Sequence, residues 1–232
     1  MIAVAIDGPA GAGKSTIARR AAKELGFVYV DTGALYRAVG LFILRAGIVP
    51  SNEQQVCGAL DTAEVSIRYR NGEQKVFLCG EDVTDAIRSA EVSMAASAVS
   101  AFPAVRRFLL SIQRGIAREN DVVMDGRDIG TVILPDAQVK IFLTASPEDR
   151  ARRRYEEMLS TGKPAVYEEV LKDLKQRDYQ DTHRSEAPLV PAQGAVLVDT
   201  TGNTLEKSVA QLTLIIKKRL NEQITGREVV KL

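Results

Sequence analysis

Three features of the sequence predict an α/β fold: one five-stranded parallel sheet with helices on both faces, plus a small antiparallel β insertion. Five short apolar runs recur between segments of helical periodicity, the pattern of strands buried on both faces. A glycine-rich turn joins the first run to its helix. Over about residues 61–85 the period switches from helical to alternating around Asn71-Gly72, a hairpin signal.

Composition narrows the class further. With 232 residues, 45% hydrophobic and 26% charged, the chain is long enough and ordinary enough to bury a core as a single domain over 1–232. A net charge of +1 supplies no global field toward nucleic acid or membrane, so neither is expected as a partner. No apolar run approaches transmembrane length, and Met1-Ile2-Ala3-Val4 reads as a strand without a basic leader. Cys57 and Cys79 form no C-x-x-C pattern, which argues against a disulfide scaffold or zinc. A cytoplasmic monomer is the expectation. His183 is the only histidine, so His-based metal sites and Ser-His-Asp chemistry have little support.

The elements follow in order. Ile2 to Ile6 is the first strand, and Ile17, Ala18, Ala21, Ala22 and Leu25 give the next segment a helical stripe that stops at Gly26. Phe27 to Asp31 is a second strand, followed by a helix with Leu35, Val39, Phe42, Ile43 and Ala46 inward. Ser51 with Gln54 predicts a capping box for a helix running to about Ala63. The hairpin alternates through Val65 to Arg70 and Gln74 to Leu78. Helices are expected over Ser89–Ala101 and from Pro103, whose ring suits a first helical turn. Asp121–Asp125 and Gln138–Thr144 are the third and fourth strands. Ser146-Pro147 opens a helix that frays at Thr161-Gly162-Lys163-Pro164, and a longer helix spans about Ala165–His183. Ala195–Asp199 is the fifth strand. A last helix covers about Leu205–Glu222, and the segment from Ile224 to Leu232 has no readable pattern.

The chemistry begins at Gly8-Pro9-Ala10-Gly11-Ala12-Gly13-Lys14-Ser15-Thr16. Strand, G-x-x-x-x-G-K-[ST] and helix together form a phosphate-binding loop. Glycines let successive N–H groups converge on phosphate oxygens, and the helix adds its positive end. Lys14 reaches the β- and γ-phosphates, and the Ser15 hydroxyl suits Mg²⁺. Such a loop serves GTPase switches, ATPase motors and small-molecule kinases alike. No N-K-x-D guanine reader occurs, and the chain is short for a motor. Arginines recur near expected loop mouths: Arg37, Arg106, Arg127, Arg150, Arg154, Arg177 and Arg184. Phosphoryl transfer between two anions needs such cations, which favours a kinase. Asp7, Asp31, Asp125, Arg127 and Asp128 fall at the carboxyl ends of strands, where ligands gather in open α/β sheets. On the helix ending at His183, Arg177, Asp181 and Arg184 stand at i, i+4 and i+7. That spacing fits an ion-pair ladder as well as it fits a ligand site.

Asp31-Thr32-Gly33-Ala34-Leu35-Tyr36-Arg37, Asp125-Gly126-Arg127-Asp128-Ile129-Gly130-Thr131, Arg177-Asp178…Asp181…Arg184, Ala101-Phe102-Pro103 with Arg106, and Ala187-Pro188-Leu189 stand in order along the chain with the phosphate loop. Together they resemble bacterial-type cytidylate kinases, nucleoside monophosphate kinases of the P-loop fold. The resemblance implies transfer of the γ-phosphoryl of ATP to CMP or dCMP with Mg²⁺ held at Ser15. It implies a monophosphate-binding region over about 33–110 and a short lid over about 147–165. Thr32, Arg37, Arg127 and Arg184 are implied at the acceptor phosphate, Ser97, Arg106 and Asp128 at the cytosine, and Arg177 and Asp181 at the pentose. Lys14, Arg127, Arg150 and Arg154 are implied in catalysis, the last two as lid arginines over the donor. Thr32 stands where many relatives have serine, which keeps the hydroxyl. A shikimate-type kinase of the same fold would lack the D-G-R-D stretch and the hairpin, and a nucleotide switch would need a base reader.

Overall fold

A computed structural model describes residues 1–229. Its elements are β1 (Ala3–Asp7), α1 (Lys14–Leu25), β2 (Val28–Asp31), α2 (Thr32–Arg45), α3 (Glu53–Ala59), β3 (Val65–Arg70), β4 (Glu73–Leu78) and β5 (Glu81–Asp82). Then come α4 (Ala90–Val99), α5 (Pro103–Glu119), β6 (Val122–Gly126), β7 (Val139–Thr144), α6 (Pro147–Ser160), α7 (Tyr167–His183), β8 (Val196–Asp199) and α8 (Leu205–Val229). The larger sheet has five strands in the order β2-β6-β1-β7-β8, and the smaller is antiparallel, β3-β4-β5. β1 is central and pairs in parallel with β6 and β7, and β8 pairs in parallel with β7. The expected α/β architecture with an antiparallel insertion is present.

The chain forms two compact units, Met1–Val28 with the chain from Asp121 onward, and Tyr29–Asn120. In the first, Val4, Ala5, Ile6, Val122, Val123 and Met124 are completely buried, so these strands read as continuous apolar runs. α1 packs on α8 and α6 on α7. In the second, α2 packs on α4 so closely that a Cβ at Gly40 would lie 2.8 Å from the Ala96 nitrogen. Leu35, Val39, Ile43, Val56, Val76, Val92 and Leu109 form its core. Each such side chain contributes roughly 1.5–3 kcal/mol on burial.

Local signals account for most element ends. Gly26, at φ 72, closes α1 by donating to the Ala22 and Lys23 carbonyls. Ser89 caps α4 and Ser146 caps α6, each accepting from the backbone three residues on. Asn71 and Gly72 adopt φ 54 and 76, the conformation a tight hairpin turn demands.

The expected boundaries need correction at several points. Asn52, one residue past Ser51, caps α3 by accepting from Gln55 N–H, and the helix ends at Ala59 in a single 3₁₀ turn. β5 adds a third strand to the hairpin. Ile129–Ile133, to which no element was assigned, winds into a wide helical turn. α8 continues through Val229, past Glu222. Residues 230–232, part of the stretch without a readable pattern, lie outside the described residues.

Candidate active site

The phosphate loop is a backbone construction. Gly8 takes φ 152, and a Cβ there would lie 1.9 Å from the Leu143 carbonyl oxygen, so any side chain is excluded. Gly11 and Gly13 take φ 73 and 79, which curls the loop into the first turn of α1. Lys14 is buried, and its Nζ donates to the Pro9 carbonyl at 2.7 Å. Burial and then the Arg127 guanidinium pull its pKa down to about 7, while Asp125, Asp181 and Asp7 pull it back. An anion placed on the loop would restore its charge. Ser15 Oγ donates to Asp125 Oδ2 at 2.9 Å, which sets a hydroxyl beside a carboxylate at the end of β6. Hard oxygens of this kind fit Mg²⁺. Among the described residues, no cluster of three or more Asp, Glu, His or Cys is built to hold a metal by itself.

Cations and carboxylates crowd the same unit. Arg127 Nε bonds Asp181 Oδ2 at 2.7 Å. Arg184 lies 3.7 Å from Asp181 and 4.0 Å from the buried Asp128. Its Nε donates to Ala187 O at 2.7 Å, and Ala187 holds φ 48, a strained left-handed turn. Asp7 accepts from the Ile129 and Gly130 N–H groups at 2.7 and 2.8 Å. Burial nevertheless raises its pKa to about 6, with Asp128 adding to the rise.

Arg177 stands apart. Of the ladder anticipated on α7, Asp181 pairs with Arg127 and Arg184 and not with Arg177. Among the described residues, Arg177 has no hydrogen bond or ion pair, although burial and the Arg127 charge both disfavour its protonated form. The nearby Asp181 and Asp173 carboxylates pull the other way and favour the charged form.

Arg150 stands on α6, within the expected lid span, and is held from several sides. It is 3% exposed and fully engaged: Nε donates to Ala145 O, Nη1 to Ala10 O at 2.8 Å, and the fork closes on Asp178 at 3.1 and 2.6 Å. It ties the crest of the phosphate loop to α7, where Ala10 also packs with Ala151, Val170 and Leu174. Arg154 is exposed on α6 and pairs with Glu157 at 2.7 Å.

In the second unit Asp31 ends β2 and organises the start of α2. Oδ1 accepts from Ala34 N–H at 3.0 Å and Oδ2 from Arg37 Nη2 at 2.8 Å. A Cβ at Gly33 would sit 3.1 Å from both Arg37 Nη1 and Asp31 Oδ1, so a side chain there would press on this ion pair. Thr32 is buried beside this pair in sequence. Arg106 donates to Ser100 O at 3.1 Å and lies over the Tyr36 ring at 5.7 Å, and Ser97 O accepts from Ser100 Oγ at 2.8 Å. Ser97, Ser100, Arg106 and Tyr36 therefore belong to one neighbourhood.

The cytidylate kinase family model matches residues 4–218. The chain belongs to the cytidylate kinase family. It is 50% identical to a cytidylate kinase of Caldanaerobacter subterraneus subsp. tengcongensis, over 96% of this chain and 98% of that one. It is 48% identical to a cytidylate kinase of Desulfitobacterium hafniense, over 94% and 93%. A solved gluconokinase of Sinorhizobium meliloti shares the fold at TM-score 0.51 and 15% identity, covering 97% of both chains.

Three carboxylates that organise their surroundings were given no role from the sequence. Asp125 was placed at the sheet edge without a role, though an acid ending a buried apolar run was a usable signal. Asp178 and Asp31 lay inside quoted motifs, but their partners, Arg150 and Arg37, are fixed only by three-dimensional packing. No helix among the described residues is by itself long and apolar enough to cross a membrane; α4 and α5 pass together but meet at a 103° bend, and Val92, Val99, Val105 and Leu109 sit in the second unit's core.

Proposed function

We propose that this chain transfers the γ-phosphoryl of ATP to CMP or dCMP, giving CDP or dCDP. The observation that carries the reading is a phosphate loop with a buried lysine, Lys14, in the same unit as the arginines Arg127, Arg177 and Arg184. A phosphate oxygen of the acceptor attacks the γ-phosphorus, the bond to the β,γ-bridging oxygen breaks, and ADP leaves. The protein's task is to position the two anions and neutralise charge. Loop N–H groups from Gly8 to Thr16 cradle the donor, and Lys14 exchanges its Pro9 bond for the β- and γ-phosphates. Ser15 and Asp125 would hold Mg²⁺, which would offset the charge of the donor phosphates.

In the first unit Arg127 and Arg184 serve the acceptor phosphate, Arg177 and Asp181 the pentose, and Asp128 the cytosine amino group. In the second, Thr32 and Arg37 serve the acceptor phosphate, and Ser97 and Arg106 the base. That second unit is the monophosphate-binding region, with β3–β5 as its insertion. Arg154 on the lid segment meets the donor, while Arg150 acts through the loop it pins. A carboxylate at N4 favours cytosine, since the O4 of uracil would meet it lone pair to lone pair. A cytoplasmic monomer is part of the proposal.

A coupled assay with ATP and CMP, dCMP, UMP, AMP, GMP or shikimate tests it. Turnover is expected with CMP and dCMP well above all others. Equal or greater turnover with another acceptor would overturn the assignment.

A further inference from the structure

The insertion hairpin has a property that its fold alone does not require. In the β3–β4 register, Val65 faces Leu78, Ile67 faces Val76 and Tyr69 faces Gln74. Alternation puts these six side chains on one face. The first four are apolar and pack into the core of the unit. The last two are polar, and both reach the backbone of β2. Gln74 Oε1 accepts from Asp31 N–H at 2.8 Å, and Gln74 Nε2 donates to Asp31 C=O at 3.2 Å. Tyr69 OH donates to Tyr29 C=O at 3.2 Å.

The residues touched are two apart, so their N–H and C=O groups point to the same side of the strand. That side is the outer one, because β2 is an edge strand and its Val28 N–H bonds Asp121 O on the other flank. A neighbouring strand would satisfy these groups. Here a primary amide imitates a peptide group and bonds the N–H and C=O of one residue, as an adjoining strand would. The residue it grips is Asp31, whose carboxylate holds Ala34 N–H and Arg37. A line of contacts therefore runs from the hairpin face through Gln74 to the Asp31 backbone, then through the Asp31 carboxylate to the Arg37 guanidinium.

We infer that Gln74, supported by Tyr69, is a positioning residue for the acceptor phosphate: it fixes Asp31, and through it Arg37, so the insertion sets acceptor affinity from a distance. The inference rests on the proposed role of Arg37, and wild-type turnover of CMP tests that reading separately. Gln74 touches neither the phosphate loop nor any first-unit residue in these bonds, so donor binding does not enter.

The experiment is a double-mutant cycle in steady-state kinetics. Gln74→Ala loses two hydrogen bonds to Asp31, and KM for CMP is expected to rise roughly tenfold while KM for ATP stays within twofold. Gln74→Glu keeps an acceptor for Asp31 N–H but sets a carboxylate oxygen against Asp31 C=O, so it should give no rescue. Tyr69→Phe, which loses one bond, should raise KM for CMP about threefold. In an Arg37→Ala background the Gln74→Ala effect on KM for CMP should vanish, because the group it positions is gone. A merely structural Gln74 would lower the melting temperature and add its full effect in that background. Unchanged KM for CMP in a folded Gln74→Ala, or full additivity with Arg37→Ala, overturns the inference. If wild type fails to turn over CMP at all, the fault lies with the reading of the site.

Discussion

The two units hold charge in different ways. In the first, the phosphate loop is fixed by backbone: Gly8 is jammed against Leu143 O, Gly11 and Gly13 take left-handed torsions, and Lys14 is buried where the loop leads it. In the second, the start of α2 is fixed by side chains, with Asp31 gripping Ala34 N–H and Arg37 while Gln74 grips Asp31. A backbone device tolerates few sequences and announces itself in a motif. A side-chain relay can be built from many sequences and is recognised only when the partners are seen together.

A similar contrast separates two arginines of the first unit. Arg150 spends its donors on Ala145, Ala10 and Asp178, whereas Arg177 has none engaged. One supports the fold, and the other is proposed to meet the ligand.

The largest expected effect is at Lys14. Lys14→Ala should lower kcat by at least about a hundredfold, since a donor aimed at developing charge is removed, while circular dichroism stays native. Near-normal kcat in a folded variant would dissolve the distinction between a loop built for phosphate and a merely tight turn.

Breaking the Arg150–Asp178 pair should come next. Arg150→Ala leaves a carboxylate and two carbonyls without their donor, so thermal unfolding should report a loss of about 3–5 kcal/mol. Arg177→Ala should do the reverse, leaving the melting temperature unchanged or raised while kcat/KM for CMP falls about tenfold or more. If both variants lost stability equally, the contrast between supporting and waiting arginines would be wrong.

Acidity sharpens the same comparison. Asp7 is held near 6 against an ordinary value of 3.8, so between about 4 and 6 the folded chain keeps a proton that the unfolded chain releases. Its contribution to stability is complete below about 4 and disappears as pH rises through 6, a swing of up to about 3 kcal/mol. Denaturant titrations of wild type and Asp7→Asn across this range should show wild type gaining on the variant as pH falls. A constant difference would mean Asp7 titrates as an ordinary carboxylate. The smallest stability effect belongs to Arg154, exposed beside Glu157. Arg154→Ala should leave the melting temperature within about 1 °C, since such a pair is worth only a few tenths of a kcal/mol. A drop in kcat would place it over the donor, and unchanged kinetics would return it to the surface.

Legibility followed the same division. Strands, the phosphate loop, the hairpin turn and helix caps such as Ser89 and Ser146 were readable because each depends on neighbours in sequence. Asn52 displaced Ser51 as a cap because either residue type can accept that bond, and spacing alone did not choose. Arg150 was expected over the donor from the family resemblance, and its burial against Ala10 and Asp178 is set by packing that no local pattern encodes. Asp178 and Gln74 matter through partners 28 and 43 positions away, and no local pattern encodes such distances.

The most direct test of the central claim is a pair of calorimetric titrations, with CMP and with a non-hydrolysable ATP analogue, on wild type, Lys14→Ala and Arg37→Ala. The account predicts a crossed pattern: Lys14→Ala weakens the ATP analogue about tenfold or more and leaves CMP within twofold, while Arg37→Ala does the opposite. Both ligands weakened together by each variant, or CMP bound by wild type no better than UMP, would contradict it.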